Sequence, residues 1–430
     1  MADLNPAELL GILQASLGPT VGGRYVHWDK LRHLPLPEGV DLKGWWLGLK
    51  LQRQAGSQSV PLFDKGGSSF TFNLVDPLPE CLHDVDSQTR GTIRQDAPVT
   101  NAETRDSYVT RSLIEESITS SQLEGASTQR VVAKRMIREG REPRDRSERM
   151  ILNNYRAMQR IREIKDRELT GELVFEIHRM ITEGTLDHPE GAGRFRRDDE
   201  RIRVVDMDEV ELHVPPPASE LAERLSAMCD FANGRDKNRF IHPMIRSMIL
   251  HFWLAYDHPF IDGNGRTARA LFYWSMLRQG YWLFEFVTIS KIMLNAPARY
   301  GQAFLYVETD ENDLTYFLLY HAEVIRRAVD ELQAYLDQKA IELRKAQENL
   351  TGLIELNSRQ SELIRHALRH PGQIYTVESH RASHEVVYET ARSDLMDLVE
   401  RGLLLKKKSG KTWQFRAAPQ LENRLRGSAD

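Results

Sequence analysis

Apolar residues recur at helical spacing along most of the chain, and strict alternation is confined to a few short stretches. Residues 148–164 carry Met150, Ile151, Tyr155, Met158 and Ile161 on one face, and residues 171–182 carry Leu173, Phe175, Ile177 and Ile181. The same spacing predicts helices over 107–126, 218–233, 242–256, 266–279, 315–350, 358–370, 376–383 and 385–401. A helical stretch over 284–307 breaks near Pro297, and residues 1–23 read as a short amphipathic helix before a glycine-rich break. Strand-like pieces appear at 69–74, at 201–205 and 210–214 about a polar turn, and at 403–408 and 412–416 about Ser409-Gly410. Residues 24–75, with Trp28, Trp45 and Trp46, read as a small accessory domain or an arm over the core. Residues 76–106 are polar and read as a connector with helical turns. The balance is mainly α.

Two patterns in the second half reach beyond single elements. In the helix over 315–350, Leu318, Ile325 and Leu332 recur every seven residues, as do Ala322, Val329, Leu336, Leu343 and Leu350. Such a stripe suits a homodimer seam or a linker helix packed on the core. Beyond it, helix–helix–helix–hairpin order over 355–420 resembles a winged helix. Arg401 to Arg416 holds six basic residues and no acid, so DNA is one candidate partner, read through Arg392, Lys406, Lys407 and Lys408. Protein contact or dimerisation is the other. Gly410-Lys411-Thr412 is not a P-loop, because position 405 is Leu where that loop needs Gly.

Chemistry concentrates in His258-Pro-Phe-Ile-Asp262-Gly-Asn-Gly-Arg266-Thr-Ala-Arg269, between two apolar helices. Glycines at 263 and 265 let backbone approach an anion at a helix start, where amides lack helical partners and the dipole favours negative charge. Arg266 and Arg269, at i and i+3, share a face and can grip phosphate oxygens. Asp262 offers one hard oxygen for Mg²⁺ beside polyphosphate. His258 is the group best suited to take a hydroxyl proton near neutral pH. A lone histidine, a lone Gly-Asn-Gly or two helical arginines would each be structural more often than not. Their conjunction in this order suits phosphoryl or nucleotidyl transfer to a hydroxyl.

The stretch matches every specified position of HxFx(D/E)GNGRxxR, and the chain resembles the Fic family. The resemblance covers residues 107–310 and implies a protein adenylyltransferase, moving AMP from ATP to a Ser, Thr or Tyr hydroxyl with release of pyrophosphate. It implies His258 as general base and Asp262 as the Mg²⁺ ligand. Gly263, Asn264, Gly265, Arg266 and Arg269 would bind the nucleotide's phosphates, and Tyr300 would lie near the adenine. Asp257 precedes the histidine where the family more often has an aliphatic residue; it could raise the pKa of His258 or face solvent. Ser120-x-x-x-Glu124-Gly125 resembles the family's inhibitory motif, with Gly125 as helix cap. Glu124 would then pair with Arg269 in a strong bidentate contact and crowd the ATP γ-phosphate.

Residues 201–214 resemble the family's flap, whose edge would hold a protein target extended by main-chain pairing. The implied fold is a helical Fic core with a β-hairpin flap, plus a C-terminal winged-helix-like domain. Its expected parts are an N-terminal accessory region (1–106), an inhibitory helix region (107–147), the catalytic core (148–314), a linker helix (315–354) and the winged-helix-like domain (355–420). Other expectations are a DNA-binding regulator with the core as sensor, another nucleotide donor, removal of AMP, and self-modification.

Composition changes little. The chain has 430 residues, 41% hydrophobic and 28% charged, with a net charge of −4, an ordinary globular balance and not that of a whole-molecule polyanion binder. Cys81 and Cys229 are its two cysteines, which argues against a disulfide framework and suits a reducing compartment. No long apolar run or leader pattern is present, so the expectation is a cytoplasmic protein without a membrane anchor.

Overall fold

A computed structural model describes residues 18–89, 102–200, 202–205, 211–235, 240–351, 356–370, 372–384, 386–409 and 412–425. The chain divides into two compact units, residues 1–333 and 334–430. The helix expected at the N-terminus lies mostly outside the described residues, as do the flap turn at 206–210 and Gly410.

In the first unit, α1 (Trp28–Leu31) and α2 (Leu42–Gly56) close over Val26, Leu31, Trp45 and Leu49. Asp41 caps α2 through the Gly44 amide at 2.8 Å. Strands β1 (Gln58–Phe63) and β2 (Ser69–Phe72) pair antiparallel, Gln58 opposite Phe72. The hairpin is no separate domain. Thr71 exchanges main-chain bonds with Asn312 and Leu314 (3.1 and 2.8 Å), and buried Phe70 meets Phe252 and Tyr256 at 5.6 and 5.0 Å between centroids. The expected connector contains a full helix, α3 (Leu78–Thr89), burying Leu78, Cys81, Leu82, Val85 and Thr89. Those positions keep i, i+3, i+4, i+7 spacing, a face that the polar surroundings obscured.

Next come α4 (Ala102–Leu123), α5 (Arg130–Glu139), α6 (Arg146–Glu163) and α7 (Gly171–Thr182). Asp145 and Thr170 cap the last two through the amides of Glu148 and Leu173. Helix α4 is wedged in place: Ile114 and Ile118 share a core with Ala133, Met136, Met150 and Ile151. The flap is short, β3 (Val204–Val205) against β4 (Glu211–His213), Val204 opposite His213. After Pro215-Pro-Pro217 a short turn leads into α8 (Leu221–Ala232).

Helices α9 (Pro243–Asp257) and α10 (Asn264–Arg278) form the centre, and nearly every residue of both is buried. A helix apolar on all sides is stable only inside others, and here α4, α6, α7 and α8 surround the pair. Helices α11 (Ile289–Leu294) and α12 (Pro297–Glu308) follow, the latter started by the proline that breaks the pattern. The long helix α13 is Thr315–Thr351, its start capped by Asp313 on the Thr315 amide at 3.0 Å. Its stripe positions Leu318, Ala322, Ile325, Val329, Leu332 and Leu336 are all buried within one chain. The side chains of Leu343 and Leu350 lie outside the described residues. No helix among the described residues is long and apolar enough to cross a membrane.

The second unit contains α14 (Ser358–Arg369), α15 (Val377–His384), α16 (Tyr388–Glu400), β5 (Leu404–Ser409), β6 (Thr412–Ala417) and α17 (Leu421–Leu425). Leu363, Ile364, Ala391, Leu395, Leu398, Leu404 and Phe415 form its core. Asp394 ties three helices, accepting from Arg359 Nε at 2.7 Å and Asn357 Nδ2 at 2.8 Å, with His380 Nε2 at 3.3 Å. Tyr375 bridges Phe415, adding a third strand position beside β6.

Candidate active site

The loop between α9 and α10 is shaped by bonds from distant segments. His258 ends α9 in the left-handed region, φ 44°, its amide still bonded to Leu254 O at 3.0 Å. That conformation is uncommon for a residue with a Cβ, and it turns the side chain out of the helix. Arg196 holds the turn from outside. Its amide donates to Pro259 O at 2.9 Å and its Nε to His258 O at 2.8 Å, and its Nη2 reaches Pro216 O. Asn264 closes the loop from inside, exchanging side-chain bonds with the Phe260 amide (2.9 Å) and carbonyl (2.8 Å). These two bonds make the Asn264 side chain a support of the loop's shape.

His178 of α7 supports the same loop. Its Nδ1 accepts from the Gly193 amide at 2.9 Å, so Nε2 carries the hydrogen and donates to Asp262 O at 2.9 Å. The ring stacks on Phe260 at 3.7 Å, and burial pushes its pKa down to about 4. Gly263 has φ 81°, and a Cβ there would stand 2.7 Å from Thr182 Cγ2. Both the backbone conformation and the space require glycine.

The base end of the site is free. His258 Nδ1 lies 3.2 Å from Ala255 O; a carbonyl only accepts, so Nδ1 donates and Nε2 keeps its lone pair. Burial lowers its pKa to about 4, against the opposing pull of the Ala255 carbonyl. The imidazole is therefore neutral near pH 7. Asp257 does neither thing the sequence left open. It is buried and turned away from His258, accepting from Arg224 Nε at 2.8 Å and Trp253 Nε1 at 3.0 Å. Burial raises its pKa to about 6.

The other end of the loop is occupied. Arg269, fully buried, donates from Nε to Ser120 Oγ, from Nη2 to Ser120 O, and from Nη2 to Glu124 Oε1, each at 2.9 Å. The expected bidentate fork is absent: Glu124 receives one bond and Ser120 two. Glu124 follows the last residue of α4, and Gly125 reverses the chain with φ 89°. A Cβ at Gly265 would clash with Glu124 Oε1, so this carboxylate lies on the first turn of α10. Tyr300 is close by, its hydroxyl 2.9 Å from His251 Nε2, and burial raises its pKa.

Arg266 differs from Arg269. It is fully buried and donates from Nη1 to Ile181 O at 3.2 Å. Its Nε and Nη2 have no hydrogen-bond partner, although Nη2 has Asp262 Oδ1 at 3.6 Å. A buried cation with unfilled donors fits a phosphate group. The Asp262 side chain is 37% exposed, between Arg266 and Arg146 (3.5 Å). Among the described residues no group of three or more His, Cys, Asp or Glu could hold a metal. What the site offers a hard cation is therefore the single Asp262 carboxylate, enough only where phosphate oxygens and water complete the shell, as they do for Mg²⁺ in nucleotide sites.

Residues 168–276, spanning His178, Arg196 and the whole loop, match the Fic/DOC family model. This chain is 29% identical over 177 residues to the protein adenylyltransferase Fic of Nematostella vectensis, covering 41% of this chain and 36% of that one. It is 33% identical over 158 residues to the protein adenylyltransferase Fic of Drosophila grimshawi, covering 36% and 30%. The chain thus spans about a third of the length of these curated relatives. A Fic family protein from Desulfovibrio desulfuricans G20 superposes over 81% of this chain and 98% of its own, with TM-score 0.50 and 17% identity. That similarity concerns the fold. Glu124 and Ser120 lie outside the matched Fic/DOC residues and reach the domain's helix start from α4.

Proposed function

We propose that the chain is a protein adenylyltransferase restrained by its own Glu124. The observation that carries this is the capture of Arg269 by Ser120 and Glu124, with the carboxylate on the turn that would receive phosphates. A triphosphate needs that arginine and is repelled by that carboxylate. With Glu124 withdrawn, the α10 amides, the unfilled donors of Arg266 and the released Arg269 would bind the phosphates of ATP. Bound Mg²⁺, on Asp262, would neutralise charge on the α and β phosphates.

A target segment paired along residues 201–214 presents a Ser, Thr or Tyr hydroxyl to His258. Nε2 takes the hydroxyl proton, the oxygen bonds to Pα, and the bond from Pα to the bridging oxygen breaks. Pyrophosphate leaves with that bond's electrons. The chain itself is one available target. Both cysteines are buried free thiols with raised pKa, about 11 for Cys81 and about 12 for Cys229, which suits a cytoplasmic protein.

The test is labelling with α-³²P-ATP and Mg²⁺ in wild type, Glu124→Gly and Glu124→Gly/His258→Ala. Label should be weak in the first, strong in the second and absent in the third. Label surviving the histidine change would remove the transferase reading, and no gain in Glu124→Gly would remove the restraint.

A further inference from the structure

None of the residues named for this chemistry belongs to the second unit, whose surface has a character of its own. Over residues 356–425 there are twelve Lys and Arg against eight Asp and Glu, net +4, in a chain of net −4. Much of the acid is already spent. Asp394 is held by Arg359, Asp397 by Arg401 and Gln360, and Glu378 by Arg381. Lys406, Lys407 and Lys408 all point into solvent from β5. Beside them Trp413 is 44% exposed, directly opposite Lys408. The ammonium groups of Lys406 and Lys408 lie 5.6 and 6.0 Å from its ring centre.

Helix α16 continues that surface. Lys406 Nζ reaches Met396 Sδ at 4.0 Å, and Met396, Arg392 and Tyr388 follow at i, i−4 and i−8 along one ridge. Val387 and Tyr388, at its N-terminal end, are 70% and 48% exposed. Arg392 and Ser393 are exposed as well, and Glu389 is the acid facing Arg392, at 3.8 Å. Helix α15 ends at His384 and α16 starts at Tyr388, a spacing that suits a helix-turn-helix pair. With the hairpin and the Tyr375–Phe415 bridge, the order of elements resembles a winged helix.

We infer that this unit binds duplex DNA, α16 entering the major groove and the β5–β6 hairpin lying on the phosphate backbone. Arg392, Ser393 and Glu389 carry the donors and acceptors that read base edges, while Lys406 to Lys408 neutralise phosphates and read no sequence. Lysines on a strand edge also discourage pairing with other chains. That role does not call for an exposed tryptophan between two of them, nor for uncovered Val387 and Tyr388 on the adjoining helix.

The experiment uses the full chain and a fluorescein-labelled mixed-sequence duplex of about 30 base pairs. Anisotropy is followed between about 50 and 200 mM salt. Binding should weaken linearly in log–log form, with a slope of about −0.9 for each phosphate neutralised. Lys406→Ala/Lys407→Ala/Lys408→Ala should lower affinity at least about tenfold and flatten the slope by up to about 3. Lys65→Ala, on the exposed turn of the first unit, should change neither. Arg392→Ala should leave mixed-sequence binding nearly intact and erase preference among duplexes selected from a random pool.

Three results would overturn the proposal. One is no binding at low salt by a chain whose melting curve is normal. Another is equal binding by wild type and the triple variant, which leaves the lysines as edge protection. The third is equal competition by polyglutamate of matched charge, which makes the surface a site for acidic protein.

Discussion

The two ends of the loop between α9 and α10 are in opposite states. At one end His258 is neutral, its Nδ1 tied to Ala255 and its Nε2 lone pair available. At the other Arg269 has given three hydrogen bonds to Ser120 and Glu124. On the proposed mechanism the restraint would therefore fall on the group that holds the nucleotide and leave the proton acceptor ready. The two arginines repeat the contrast one turn apart in part: Arg266 leaves Nε and Nη2 without hydrogen-bond partners, whereas Arg269 leaves only Nη1.

The sharpest way to break that comparison is Arg269→Ala in the Glu124→Gly background. If Arg269 serves the nucleotide once released, transfer should fall at least about 100-fold, measured as initial rate of label incorporation. A variant as active as its parent would make Arg269 only an anchor for Glu124. Next in size is His178→Ala, which removes the ring stacked on Phe260 and strands the Gly193 amide. It should cost about 3 kcal/mol of stability, read from denaturant midpoints. An unchanged midpoint would mean that the loop holds its shape without α7.

Ser120→Ala should act in the direction of Glu124→Gly but less strongly. The Ser120 carbonyl still accepts from Arg269, so one hydrogen bond worth about 1 kcal/mol is lost, a gain of roughly fivefold in labelling. A gain equal to that of Glu124→Gly would shift the restraint from the carboxylate to the serine.

pH gives the finest division. On the proposed mechanism His258 works deprotonated, so labelling by Glu124→Gly should hold as pH falls from 7 to 5 and decline only near pH 4, instead of through the ordinary histidine range near 6.5. Stability should move differently. His178 binds its proton less readily folded than unfolded, so its contribution is complete above about 6.5 and is lost as pH falls toward 4. By pH 5 the loss is about 2 kcal/mol. Asp257 opposes it: its folded pKa is raised, so it favours the folded state less as pH rises from about 4 to about 6.

What could be read in advance follows from how local each signal is. The α9–loop–α10 elbow was legible because apolar spacing, two glycines and two arginines fall within one short stretch. Ser120 and Glu124 were found through a motif, and the structure brings them to Arg269, although with one bond to the glutamate where two were expected. His178 and Arg196 were missed. Each acts on backbone carbonyls tens of residues away, and no spacing rule links a side chain to a distant carbonyl. The Gly191-Ala-Gly193-Arg-Phe-Arg196 break was the one visible trace, since Gly193 and Arg196 both belong to that support. Asp257 was misjudged for the same reason, its partner Arg224 lying on α8.

One further consequence concerns Glu116. This fully buried carboxylate accepts from the Ser290 amide at 3.1 Å and from the Ser290 hydroxyl, fastening the middle of α4 to α11. With α4 fastened there, Glu124 is delivered to Arg269 as a tethered ligand, its effective concentration set by chain geometry. Dilution cannot loosen such a contact, and crowding cannot tighten it. Only events within reach of the last turn of α4 can compete: a rival anion on Arg269, or fraying of that turn beside Gly125.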